Sequence, residues 1–389
     1  MIERELSSKA LTAAQQFPVV SITGPRQSGK STLVKKIFPD YRYVTLEDSD
    51  TREFAKEDPR SFLALYDNRV IIDEAQRVPE LFSYLQGIVD ETNEPGQFIL
   101  SGSQNFLLME AVSQSLAGRV AVLNLLPLSQ GELAHADAFP ASVNEWLIKG
   151  GYPRIYQTGM SPADFHASYV QTYLERDVRR GSGILKLAEF ERFLGLCADR
   201  VSALMNKEGL ANDCGITVKT AENWLSVLEA SFIVTRLQPY YKNFGKRLVK
   251  TPKLYFFDTG LVCSLLGIED AEEIALTEYR GALFETAVVS ELYKTCFAKG
   301  RKPKLYFWRD SGQKEVDLIV EKGASVWAIA EVKSSATYNP KYFKTVQELG
   351  DLAGVPVNRR YVVYAGDTSF STERGVVLSI KDVSRIMEA

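Results

Sequence analysis

Apolar residues in the first third of the chain come in short, nearly continuous runs separated by longer mixed stretches. The runs are FPVVSIT (17–23), YRYVTL (41–46), RVIIDEA (69–75), GQFILSGS (96–103) and GRVAVLNLLPL (118–128). Strands of a parallel sheet covered by helices on both faces read this way, because neither face needs polar side chains. From about 130 to 265 the apolar spacing changes to three and four, as in FERFLGLCADRVSALM and TAENWLSVLEASF, which predicts helices. After 277 a helical stretch, YRGALFETAVVSELYKTCF, precedes strand-like runs KLYFWR, EVDLIVEK, SVWAIAEVK, YVVYAG and VVLSI, an α/β unit of its own. No internal repeat or low-complexity tract interrupts this order.

Between the first predicted strand and the first predicted helix lies GPRQSGKST: Gly24, Pro25, Arg26, Gln27, Ser28, Gly29, Lys30, Ser31 and Thr32. It fits G-x-x-x-x-G-K-[ST] in the strand-loop-helix setting that the motif requires. Glycine lets backbone N–H groups converge on a phosphate, the helix start adds its positive dipole end, and Lys30 reaches the outer phosphates. Ser31 is the expected magnesium ligand. Downstream, the run Val70-Ile71-Ile72 ends in Asp73-Glu74, which predicts a second ligand, Asp73, and a carboxylate, Glu74, to polarise the attacking water. ATP and Mg2+ are the cofactors this pattern calls for.

At 389 residues the chain is long enough for two or three domains. It is 45% apolar and 24% charged with a net charge of −3, so any nucleic-acid contact needs a local basic patch. Cys197, Cys214, Cys263 and Cys296 form no CxxC pair, and His135 and His166 are the only imidazoles, which argues against a disulfide framework or a zinc site. The charged start MIERELSSKALTAAQQF is unlike a signal peptide and no window is apolar enough to span a membrane, so a cytoplasmic protein is expected.

The order GPRQSGKST, VIIDEAQ, FILSGSQ and SLAGRV resembles the core of AAA-type ATPases. With PLSQGE, GGYPRIY and YLERDV, the chain resembles a prokaryotic family in which such an ATPase is fused to a C-terminal domain of unknown function. Pattern and resemblance together predict an ATPase core over 1–130, a helical lid over 131–200, a winged-helix-like segment over 201–265 and a C-terminal domain over 277–389. The resemblance implies a phosphate sensor at Ser103 or Gln104; the helical region fixes no sensor, Arg176 and Arg179 being the arginines that could serve. Arg119 stands where such proteins place an arginine finger acting across a subunit interface, which implies a homo-oligomer; an arginine there equally suits a surface ion pair.

Residues 206–225 have the helix, glycine turn and helix rhythm of a helix-turn-helix, with Thr217 as cap of the second helix. FIVTRLQPYY and KLYFFD then suit a wing, with Lys242, Lys246, Arg247, Lys250 and Lys253 clustered in the loop between them, interleaved with Tyr241 and Phe244. DNA backbone binding and protein contact are both open uses of such a segment. In the last region, Glu285 on a helix, Asp317 on a strand, and Glu331 with Lys333 on the next strand resemble the PD-(D/E)xK, restriction-endonuclease-like superfamily. Residues two apart share a strand face, so Glu331 and Lys333 point together. The resemblance implies a magnesium shell from Glu285, Asp317 and Glu331, with Lys333 activating water. Salt-bridged positions on a sheet, or a nuclease-like fold that binds without cutting, explain the same residues. Two functions therefore stand: an ATPase acting on DNA, and a nucleotide-gated switch that binds another protein.

Overall fold

In the computed structural model, which describes residues 2–103, 115–173, 178, 186–241 and 249–388, each of the five N-terminal apolar runs contains one strand. These are β1 (Val19–Thr23), β2 (Arg42–Thr45), β3 (Val70–Asp73), β4 (Phe98–Gly102) and β5 (Val120–Asn124). All pair in parallel, in the order β2-β3-β4-β1-β5. Along β3, Val70 and Ile72 enter one apolar cluster and Ile71 the other; Phe98 and Leu100 of β4 are likewise separated from Ile99. This period of two, with both faces covered, is why the sequence shows solid rather than alternating apolar runs. Each such buried side chain contributes about 1.5–3 kcal/mol of transfer free energy. β1 and β3 end on the same edge of the sheet, with β4 between them.

The chain forms two compact units: Met1–Leu128 with Ala230–Phe232 and Phe297–Arg301, and Ser129–Glu229 with Ile233–Cys296 and Lys302–Ala389. Segments 131–200, 201–265 and 277–389 fall largely in the second. Among the described residues its sheet has eight strands, in the order β12-β13-β11-β10-β9-β8-β6-β7. They are β6 (Val234–Pro239), β7 (Lys253–Phe256), β8 (Leu305–Arg309), β9 (Glu315–Lys322), β10 (Ser325–Lys333), β11 (Arg360–Tyr364), β12 (Phe370–Thr372) and β13 (Gly375–Ser379). The pairing is mixed: β9 runs antiparallel to β8 and β10, whereas β11 is parallel to β10 and β13. Val346 and Leu349 of the helix Lys344–Ala353 pack on Ile319, Ile329 and Val362 of this sheet.

The helix-turn-helix rhythm is realised by Lys207–Cys214 and Val218–Ala230, with Gly215 left-handed between them (φ 73°). Thr217 accepts from the Thr220 N–H at 3.1 Å, the cap expected from the sequence. β6 and β7 do pair antiparallel. They are not a free wing, because β6 also joins β8 in parallel through Gln238 and Tyr306 and so belongs to the eight-stranded sheet. Among the described residues no helix is long and apolar enough to cross a membrane.

Candidate functional site

β1 delivers the chain to Gly24 and the helix Lys30–Ile37 carries it away, so the loop turns within six residues. Two of its residues are left-handed, Gln27 (φ 59°) and Gly29 (φ 91°), and glycine meets that demand at little cost at the second. Gly24 is required by space: a Cβ there would lie 2.1 Å from the Leu125 carbonyl oxygen. Lys30 is buried beneath the loop and its Nζ donates to the carbonyls of Gly24 (3.0 Å) and Pro25 (2.8 Å). Arg4, just before the helix Leu6–Ala14, braces the loop from behind. Its buried guanidinium donates to the carbonyls of Ser28 (2.7 Å) and Leu126 (2.6 Å), a long-range contact with no signal in the sequence. Ser28 is buried, Arg26 half-buried, and Gln27 and Thr32 are exposed.

The two halves of the expected cation site meet. Ser31 Oγ donates to Asp73 Oδ2 at 2.7 Å. Tyr43 donates its phenol to the same oxygen at 2.6 Å, and Ser101 Oγ donates to Asp73 Oδ1. Burial and the hydrogen bond to Asp73 push the Tyr43 phenol well above its usual pKa, so it stays a donor. Neither Tyr43 nor Ser101 was singled out from the sequence, since a lone hydroxyl on a strand carries no spacing signal.

Glu74 follows directly, in a left-handed conformation (φ 56°, ψ 38°) that turns the chain off the strand. A non-glycine residue held there is uncommon and such backbone strain clusters at functional sites. Its Oε2 accepts from Gln76 Nε2 at 2.5 Å and from Ser103 Oγ at 3.3 Å. β4, lying between the loop strand and the carboxylate strand, thus brings Ser103 to Glu74 and Ser101 to Asp73. Gln104, Arg176 and Arg179 lie outside the described residues. Arg119 forms a fork on Asp90, through Nε to Oδ1 and Nη2 to Oδ2 (3.0 Å), and Nη1 donates to the Ala117 carbonyl at 3.1 Å. Within one chain, then, it holds a surface ion pair.

The second constellation is also assembled. Asp317 on β9 accepts from the Val332 N–H of β10 at 2.7 Å, and Lys333 Nζ donates to Glu331 Oε1 at 2.6 Å. Burial, then the charges of Glu285 and Glu331, push the Asp317 carboxyl well above its ordinary range; burial does the same to Glu331, against the opposing effect of Lys333. One member was misread from the sequence. Lys253, counted among the loop cations, is 3% exposed, and its Nζ pairs with Glu285 Oε1 at 2.9 Å and with Glu315. A lysine with two carboxylate partners turns inward instead of joining a solvated patch. Of the other loop cations, Lys250 is exposed, whereas Lys242, Lys246 and Arg247 lie outside the described residues. Lys207 of the helix pair and Arg236 of β6 both pair with Glu222, and Lys219 is exposed.

Three family models match the chain: an AAA domain over residues 16–134, a domain of unknown function (DUF8612) over 140–272, and another (DUF4143) over 280–383. The uncharacterized protein Rv2008c of Mycobacterium tuberculosis is 31% identical over 379 residues, 96% of this chain and 82% of that protein. An uncharacterized protein of Haemophilus influenzae is 23% identical over 306 residues, 70% of this chain and 75% of its own. Among solved structures, the Walker-type ATPase PABY2304 of Pyrococcus abyssi is similar at a TM-score of 0.46 and 14% identity, covering 68% of this chain and 96% of that one. The RuvB Holliday junction branch migration motor of Thermotoga maritima follows at a TM-score of 0.31 and 18% identity, covering 59% and 87%. With a phosphate-binding loop, its paired carboxylates and a parallel sheet all within the matched AAA domain, the chain belongs to the family of the mycobacterial protein Rv2008c and carries a P-loop AAA-type ATPase fold at its N-terminal end.

Proposed function

We propose that the protein is a magnesium-dependent ATP hydrolase that uses its nucleotide state to control a macromolecular contact made by the second unit. The observation that carries the reading is the Ser31 hydroxyl on the Asp73 carboxylate at 2.7 Å, beside a loop whose lysine is already buried beneath it. Ser31 and Asp73 suit a cation that keeps several waters and takes few protein ligands. Magnesium ATP, when bound, supplies the electrophilic phosphorus and the phosphate charge. The loop N–H groups and Lys30 hold that charge, Glu74 orients and deprotonates the water, and Ser103 fixes the Glu74 carboxylate. An ATP-dependent reaction of this kind belongs in the cytoplasm, where we take it to act.

Arg119 completes the site of a neighbouring subunit in this reading, exchanging Asp90 for a transition-state phosphate. Arg119→Ala and Glu74→Gln chains, each inactive alone, are then expected to recover turnover when mixed, because one supplies the base and the other the arginine. Phosphate release from an equimolar mixture measures this. No recovery at concentrations where the chains associate leaves Arg119 as the Asp90 partner only.

DNA is the partner the helix pair and Lys219 and Lys250 favour; a protein partner is the second reading, favoured by the acidic pairing of Lys207 and Arg236 and the burial of Lys253. If DNA is the partner, single-stranded, duplex or branched DNA raises ATP turnover, and binding weakens steeply between about 50 and 200 mM salt as counterions compete for the phosphates. Turnover unchanged by every DNA form excludes DNA and leaves the protein-binding switch.

A further inference from the structure

The donors around Glu285, Asp317 and Glu331 do not fit the magnesium shell that the nuclease resemblance implies. Mg2+ demands oxygen ligands at about 2.0–2.1 Å in octahedral array. Here Glu285 Oε1 is taken by Lys253 Nζ at 2.9 Å and by the Tyr255 hydroxyl at 2.5 Å. Lys253 and Tyr255 are two apart on β7, so one strand face delivers both donors. Glu315 is taken by Lys253 and by Arg309 Nη1 at 3.0 Å, Glu331 Oε1 by Lys333, and Asp317 Oδ2 by the Val332 N–H. Glu331 Oε2 is buried with no hydrogen-bond partner, and one oxygen of each of Glu285, Asp317 and Glu331 is already held by a donor. Among the described residues no three carboxylate, imidazole or thiol side chains converge as metal ligands.

We propose that Lys253 is a resident cation that replaces a divalent ion in this carboxylate cluster, so that the second unit binds no metal there and does not cut DNA by metal-assisted hydrolysis. Four carboxylates, Glu285, Glu315, Asp317 and Glu331, face the cations Lys253, Arg309 and Lys333. Burial works against the charge on Lys253, yet Glu285, Asp317 and Glu315 outweigh it and hold the ammonium protonated. Two cations cannot share that space. The lysine is fixed to the chain and competes with free metal at a high effective concentration. This inference is independent of the ATPase reading, which concerns the other unit.

The experiment uses the full chain without nucleotide, carrying Asp73→Asn to silence the P-loop site. Mn2+ is titrated by electron paramagnetic resonance, and Tb3+ by luminescence sensitised through Tyr255, whose hydroxyl lies on Glu285. The parent is expected to show no saturable site. Adding Lys253→Met should create one, binding at least tenfold more tightly than any parent signal and lost again with Asp317→Asn. A parent that takes up one Mn2+, lost on Asp317→Asn, overturns the proposal; so does a Lys253→Met chain that keeps its melting transition and gains nothing. Should Lys253→Met not fold, the parent titration decides alone: silence supports the resident lysine, and Asp317-dependent uptake refutes it.

Discussion

A Glu74→Gln chain is expected to bind ATP as tightly as the parent and to hydrolyse it at least about 10²-fold more slowly, the lower range for loss of a general base. The substitution keeps size and planarity, and the amide oxygen can still accept from Gln76 and Ser103, so the turn after β3 is preserved. What disappears is the capacity to take a proton from water. Binding of a fluorescent ATP analogue and single-turnover phosphate release separate the two effects. Parent-like phosphate release would falsify the assignment of Glu74 and move the base to another group near the β3 and β4 ends.

Lys30→Ala attacks the other half of the site. ATP affinity is expected to fall about 10- to 150-fold, the equivalent of one charge-assisted hydrogen bond of about 1.5–3 kcal/mol. The loss has two sources. The ammonium no longer meets the outer phosphates, and the Gly24 and Pro25 carbonyls it satisfies lose their donor beneath the loop. Lys30→Met, which retains the buried stem but not the charge, separates packing from electrostatics. AMP, without outer phosphates, should bind both variants and the parent alike. Calorimetry with ATP, ADP and AMP gives all three comparisons, and an ATP affinity unmoved in both variants would show that the triphosphate does not lie over Lys30.

The parts of the molecule legible in the sequence are those where local pattern and long-range packing agree. β1, β3 and β4 are buried on both faces, so their apolar runs announce them, and glycine spacing announces the loop. The meeting of Ser31 with Asp73 follows once both motifs are set on one sheet edge. Tyr43 and Arg4 could not be found that way, because each acts through one polar group on a partner 30 or more residues distant, except that Arg4 reaches Ser28 across 24. Lys253 misled for a related reason. Its neighbours Lys242, Lys246, Arg247 and Lys250 make it look like one of a solvated set, whereas Glu285 and Glu315, 32 and 62 positions downstream, decide its burial. β12 went unread because its three residues, Phe370-Ser371-Thr372, are mostly exposed and carry no period.

A single oxygen of Asp73 receives both the Ser31 and the Tyr43 hydroxyl, which bears on how a cation could enter the proposed site. Both hydroxyls donate to that oxygen, so a lone metal ion binding Asp73 there would have to displace one of them. On the proposed reading, the triphosphate would bring its cation with it, since its own oxygens would supply ligands that a lone ion lacks.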